Sequence, residues 1–217
     1  MAKIEEKKVP ATTSKNVVGA EAALEILKEG NHRFVQGLRS VESMIRSRDL
    51  AELAERGQSP FAIVLACADS RVPIEILFDR GPGDIIVCRV AGNVATQAIM
   101  GTMEFATEQF HSGLLVVMGH TRCGAIEAAL NRIEKPEKTS ENLQMIVDQL
   151  QPAAREAWDR CGGVTRECVD SASSINVRHT MHEILERSPV LAGRIADGRL
   201  TMVGAMCNID TGEVRFD

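Results

Sequence analysis

The sequence predicts an α/β fold: a mostly parallel central sheet of four strands plus a short C-terminal edge strand, flanked by helices, with an N-terminal helical arm. Three observations predict it. Short unbroken apolar runs, Phe61–Ala66 and Leu114–Met118 among them, read as strands buried on both faces. Stretches with helical spacing separate these runs, and that alternation implies parallel pairing through right-handed crossovers. The chain has 217 residues, 44% apolar and 25% charged, which at about 150 residues per domain suits one domain with an appendage.

The elements follow in order. Residues 1–19 are polar, carry Pro10 and the Thr12-Thr13-Ser14 cluster, and read as a flexible arm ahead of a single domain over 20–217. From Ala20, the apolar positions Ala23, Leu24, Leu27, Phe34, Val35 and Leu38 fall at helical spacing, with a break or kink expected at Gly30-Asn31. A second helix is predicted over Met44–Glu55, stopping before Gly57. Pro60 and Asp69-Ser70 bound the first strand, and Pro73–Phe78 reads as a short helix. After the Gly81-Pro82-Gly83 turn, Asp84–Val90 is the second strand. A long helix over Ala95–Phe110 leads to the third strand at Leu114, and Gly124–Arg132 is helical again. Two more helices fill Ser140–Asp159 and Glu167–Glu186. Leu200–Met206 is the fourth strand, and Glu213–Phe216 its short partner beyond Thr211-Gly212.

Composition excludes several classes of function. A net charge of −5 argues against a general polyanion binder, and six Phe, one Trp and no Tyr leave few platforms for stacking bases. No nucleic acid partner is expected. No apolar run approaches the ~20 residues of a membrane span, so no membrane partner is expected either. The first residues, MAKIEEKKVPATTSK, contain no apolar leader. The expectation is therefore a cytoplasmic protein with reduced thiols. Of its six cysteines, Cys88, Cys161, Cys168 and Cys207 read as core or surface residues.

Cys67 and Cys123 are different because of where the strands end. In open parallel sheets, ligands bind beyond the carboxyl ends of the strands. Cys67, Asp69 and Arg71 follow the first strand, and His120 and Cys123 follow the third, so residues 53 apart in sequence (120 − 67) can become neighbours. Two thiolates and an imidazole are the Cys2His set that zinc accepts in catalytic sites. With a fourth position open, zinc lowers the pKa of its water to about 7. Cys123 also stands at a helix start, where the dipole favours thiolate. Asp69 can accept a hydrogen bond from the resulting hydroxide, and Arg71 can hold Asp69 through a charge-assisted pair. The plainer reading of each residue alone is a core thiol, a turn-forming Asp or a surface Arg; their coincidence at two strand ends favours the metal site.

These residues resemble the β-class carbonic anhydrases. The resemblance rests on C-A-D-S-R-V-P at Cys67–Pro73, R-V-A-G-N at Arg89–Asn93, G-H-T-R-C-G at Gly119–Gly124, and L-K-E-G-N-H-R-F-V-Q-G at Leu27–Gly37. It implies zinc, reversible hydration of CO2 to bicarbonate, and a homodimer or homotetramer with active sites near the subunit interface. It also implies Cys67, His120 and Cys123 as zinc ligands and Asp69 and Arg71 as the catalytic dyad. Gln58 matches a substrate-contacting glutamine of plant-like members. Phe105 stands where those members carry Tyr, and Ile86 where they carry a bulky aromatic, so the apolar substrate pocket should be differently shaped. A bacterial subgroup has a second bicarbonate pocket of Trp, Arg and Tyr. Arg89 matches its Arg, but Val64 replaces the Trp and the chain has no Tyr, so that pocket cannot form in its usual way. An open site with Asp69 on Arg71 follows, rather than a closed state with Asp69 as fourth metal ligand. His111, His179 and His182 are candidate proton relays, although solvated or helix-capping roles explain each more simply. Rival readings are hydrolysis of a CO2 analogue (carbonyl sulfide or carbon disulfide) at the same site, a non-catalytic zinc-stabilised scaffold, and a thiol-based redox sensor. The Asp69–Arg71 pair argues against the scaffold, and zinc content separates the sensor from the enzyme.

Overall fold

The computed structural model describes residues 18–38, 47–137 and 139–217. Its elements are α1 (Ala20–Val35), α2 (Ser47–Arg56), β1 (Ala62–Ala66), α3 (Ile74–Leu77), β2 (Ile85–Arg89), a 3-10 turn (Ala91–Asn93), α4 (Gln97–Phe110), β3 (Leu114–His120), α5 (Gly124–Glu134), α6 (Glu141–Cys161), α7 (Arg166–Arg187), α8 (Pro189–Ala196), β4 (Thr201–Cys207) and β5 (Val214–Phe216). The strands form one sheet in the order β2-β1-β3-β4-β5. The first four pair in parallel and β5 joins β4 antiparallel. This is the predicted α/β architecture. The flexible arm expected over 1–19 falls, for residues 1–17, outside the described residues, as do Met44–Arg46 of the second predicted helix.

The unbroken apolar runs are the central strands. Every residue of β1 and β3 is buried. Side chains alternate across the sheet: Ala62, Val64 and Ala66 face a core with Ala23, Leu27 and Phe78, beneath α1 and α3. Ile63 and Leu65 face Met103, Val177, Ile184 and Leu191 of α4, α7 and α8. A third cluster, mostly helical, joins Cys67 and Cys123 to Ile126, Leu150, Ala154 and Ala172. Each buried Leu or Ile contributes about 1.5–3 kcal/mol, so the strand ends that carry the cysteines are anchored on both faces. Helix starts carry the expected caps: Thr96, Ser140 and Thr165 each accept a backbone N–H three residues on.

One expectation is overturned. Gly30-Asn31 does not break α1, which runs continuously from Ala20 to Val35. The two residues are there for packing. A Cβ at position 30 would lie 1.9 Å from the Phe78 carbonyl oxygen, so only glycine lets the helix come this close to α3. Asn31 is buried; it donates to the carbonyls of Leu77 (3.1 Å) and Gly212 (2.8 Å) and accepts from the Val214 N–H (2.8 Å). Arg33 pairs with buried Asp79 at 2.6 Å. Helix α8 went unread in the sequence, although Ser188 caps Leu191 and Pro189 occupies its first turn.

Candidate active site

Parallel pairing in register carries the first and third strands to a common edge. Ala66 lies opposite Met118 in the ladder, so Cys67 emerges beside the C-terminal end of β3. There the donor atoms of Cys67, His120 and Cys123 lie within 4.8 Å of one another, all buried. The two sulfurs are 4.0 Å apart. Tetrahedral zinc with Zn–S bonds near 2.3 Å spans two sulfurs about 3.8 Å apart, so the pair is already close to the spacing a metal needs.

The ring of His120 is oriented for the same task. Its Nδ1 meets the Thr121 carbonyl at 2.9 Å, which puts the proton on Nδ1 and leaves Nε2 with a bare lone pair. That Nε2 is buried without a hydrogen-bond partner. A buried acceptor left unpaired costs about 1–3 kcal/mol, and a cation at the cluster satisfies it. The sulfurs show a matching tension. The Cys67 thiol is held far below its usual range, chiefly by the hydrogen bond from Cys123, which outweighs the opposing effect of burial, and further by the N–H groups of Gly92 and Asp69. Cys123 is pushed up, because its proton is shared with Cys67, because it is buried and because the Cys67 thiolate repels a second charge. The N–H groups of Ala125 and Ile126, at the start of α5, pull Cys123 back toward thiolate. One sulfur thus ionises readily and the second resists, a conflict that a divalent cation removes. The donor set fits zinc on all these counts.

Asp69 and Arg71 lie beside this cluster. Arg71 Nε donates to Asp69 Oδ1 at 2.9 Å and Nη2 to Oδ2 at 2.6 Å, while the Arg71 backbone N–H also reaches Oδ1 at 2.9 Å. The Arg71 guanidinium therefore holds the Asp69 carboxyl well below the usual carboxylate range. Arg71 is steadied in turn by the Arg122 carbonyl at 3.2 Å.

Arg89 has a role the sequence did not disclose. Its Nε donates to the Cys67 carbonyl at 3.0 Å and its Nη2 to the Asp69 carbonyl, clamping the loop that carries both residues. Asn176 and Asp170 of α7, also unread, bind the backbone around the cluster. Cys88 and Cys207 behave as core thiols, each pushed up to about 11 by burial. Gln58 is exposed in the loop before β1. Ile86 is half-buried against the core on the α4 side of the sheet. Phe105 is 56% exposed on α4 and packs edge-on against Phe110, with ring centroids 5.9 Å apart. None of these three is part of the donor cluster. His111 ends α4 in a left-handed conformation, His179 meets Glu156 at 3.2 Å and His182 meets Glu186 at 3.4 Å.

Fold and site together define an α/β protein with a mostly parallel sheet and, at its edge, a buried Cys-His-Cys cluster that could hold a metal. The carbonic anhydrase family profile matches residues 62–214. Carbonic anhydrase 2 of Mycobacterium tuberculosis is 38% identical over 191 residues, covering 88% of this chain and 89% of that protein. A carbonic anhydrase of Mycolicibacterium smegmatis is 36% identical over 197 residues, covering 90% and 92%. Among solved structures, the β-carbonic anhydrase CcaA superposes with a TM-score of 0.68 at 27% identity, covering 89% of this chain and 94% of that one. A tetrameric β-carbonic anhydrase of Sordaria macrospora shares the fold, with a TM-score of 0.69 at 23% identity over 77% of this chain and 84% of its own. The chain belongs to the β-carbonic anhydrase family of enzymes.

Proposed function

We propose that this enzyme interconverts CO2 and bicarbonate with zinc held by Cys67, His120 and Cys123, and with Asp69 and Arg71 as its catalytic pair. The observation that carries the reading is the buried, unpaired His120 Nε2 facing two sulfurs 4.0 Å apart, beside a carboxylate locked to a guanidinium. Bound there, zinc supplies Lewis acidity that brings the pKa of a coordinated water to about 7. The protein's own groups do the rest. His120 keeps its proton on Nδ1 and presents Nε2 in one orientation. Asp69 stays ionised, so it only accepts hydrogen bonds and can orient a donor toward an uncharged substrate. Arg71 keeps that carboxylate from swinging to the metal, which is the open state.

Gln58 adds a geometric argument for assembly. It precedes the start of β1, while Cys67 follows its end, and five strand residues span about 17 Å. A Gln58 that meets substrate therefore does so in a partner's site. Ile86 and Phe105 complete the substrate pocket on this reading, and the active unit is a homodimer or a pair of dimers. The exposed Val35, Leu38 and Leu50 supply apolar surface for such contact. Light scattering should give at least twice the 23.6 kDa chain mass; an active monomer would refute the assembly. Among the described residues no helix is long and apolar enough to cross a membrane. The deciding experiment is stopped-flow CO2 hydration with and without a zinc chelator. Turnover that stops on zinc removal and returns on its addition supports the reading; no turnover with zinc bound refutes it.

A further inference from the structure

Two backbone turns frame the sulfur pair, and both are tied to one helix. Arg122, between His120 and Cys123, has φ 52°, a left-handed conformation that residues bearing a Cβ resist. Its N–H donates to Asp170 Oδ1 at 2.7 Å. Its carbonyl receives Arg71 Nη2. Gly92, after β2, has φ 69° and donates its N–H to Cys67 Sγ at 3.3 Å. The Gly92 carbonyl accepts from Asn176 Nδ2 at 2.8 Å, and Asn176 is buried. Asp170 and Asn176 both lie on α7, six residues and thus about 9 Å apart along the helix. Gly119 allows α7 this close to β3: a Cβ there would come within 2.8 Å of both Val177 Cγ2 and Met206 Sδ.

We propose that α7 braces the metal site, with Asp170 and Asn176 as positioning residues that hold the Arg122 and Gly92 turns and so fix the Cys67–Cys123 spacing and the seat of Arg71. This rests on the zinc assignment made above. Asp170 fixes the turn that leads into Cys123 and also presents the carbonyl that steadies Arg71. Asn176 fixes the turn whose N–H stabilises the Cys67 sulfur. A left-handed residue with a side chain relaxes once its tether is cut, whereas a tethered one stays where the metal needs it. The competing account makes Asp170 a surface charge for Arg166, which lies 4.0 Å away in a group that also contains Asp210 and the Arg122 side chain. The two accounts differ in what they require of Asp170: the brace needs an acceptor oxygen, the ion pair needs a charge.

The test uses the zinc-loaded full chain and reads two quantities, the rate of zinc release to a chelator and kcat/KM for CO2 hydration. Loss of groups that orient metal ligands costs about 10–100-fold in metal affinity or activity. Asp170→Ala should release zinc about tenfold faster and lose about tenfold in kcat/KM. Asp170→Asn, which keeps the acceptor and drops the charge, should stay within about threefold of wild type on both readouts. Asp210→Asn should change neither. Asn176→Ala, acting through Cys67, should also speed zinc release, and it carries the test should Asp170→Ala fail to fold. Wild-type release rates in both alanine variants would overturn the brace, as would Asp170→Asn behaving like Asp170→Ala. Zinc release is read without turnover, so a wild type that holds zinc but does not hydrate CO2 refutes the function while the brace is still decided.

Discussion

The loop after β1 shows its charged groups to solvent, while the end of β3 and the loop after it hide their donors. Arg71 has 51% of its side chain exposed and Asp69 17%, whereas His120 and Cys123 are each 1% exposed. Within the first loop the charged pair orients itself: Asp69 and Arg71, two residues apart, bond through two side-chain contacts and one backbone contact. The second is held from afar. Thr121 N–H reaches the Cys207 carbonyl at 2.9 Å, Thr121 Oγ1 accepts from Ile209 N–H at 3.1 Å, and Arg122 N–H reaches Asp170 across 48 residues. The dyad is encoded locally; the metal-binding half depends on the assembled fold.

That contrast can be broken most forcefully at the donors. His120→Ala or Cys67→Ser should lose zinc and activity together, with a fall of about a thousandfold or more, because without the metal no group lowers the pKa of water. Metal analysis beside a hydration assay checks this, and full zinc occupancy in either variant would remove these residues from the ligand set. Next comes Arg71→Ala, which should cut kcat/KM about a hundredfold while zinc content stays near one per chain, as expected for losing a preorganised electrostatic contact. If zinc leaves as well, the two loops are not separable.

Acid should separate them too. The folded pKa of Asp69 is depressed, so the stability its ionisation contributes is fully present above the unfolded value of about 3.9 and is lost only as pH falls through the lower folded value. The sulfur and imidazole donors must give up protons to hold a metal, so acid competes with zinc directly. Lowering pH from 7 to about 4 should therefore release zinc while Asp69 remains ionised. Metal release against pH, set beside the carboxyl carbon resonance of Asp69, reads both events; protonation of Asp69 before zinc release would reverse the expected order. The smallest effect belongs to Gln58→Ala: about a threefold loss in kcat/KM with zinc unchanged, as for one neutral hydrogen bond. A variant as active as wild type would leave Gln58 a turn residue.

What the sequence disclosed follows the same division. Cys67, Asp69 and Arg71 stand within five residues behind an unmistakable buried strand, and H-T-R-C follows another. Their types and positions sufficed to bring them together, because parallel pairing aligns strand ends. Arg89, Asp170 and Asn176 were not legible, since each acts by bonding a backbone group set by tertiary contacts, and an Asp or Asn inside a helix looks like any solvated polar residue. Gly30-Asn31 was misread for a related reason. Gly signals a break when only local propensity is considered, but here it answers to the Phe78 carbonyl on another helix.

Asn31 also has a consequence for how the chain is made. Its carboxamide joins the first described helix to residues 212 and 214, across 181 and 183 positions of sequence. Even at about 20 residues per second, Asn31 leaves the ribosome about nine seconds before the hairpin that completes its hydrogen bonds. Through that interval the amide can meet the Leu77 carbonyl, but neither the Gly212 carbonyl nor the Val214 N–H that complete its bonding. Full pairing of Asn31 therefore waits for the last strand to arrive.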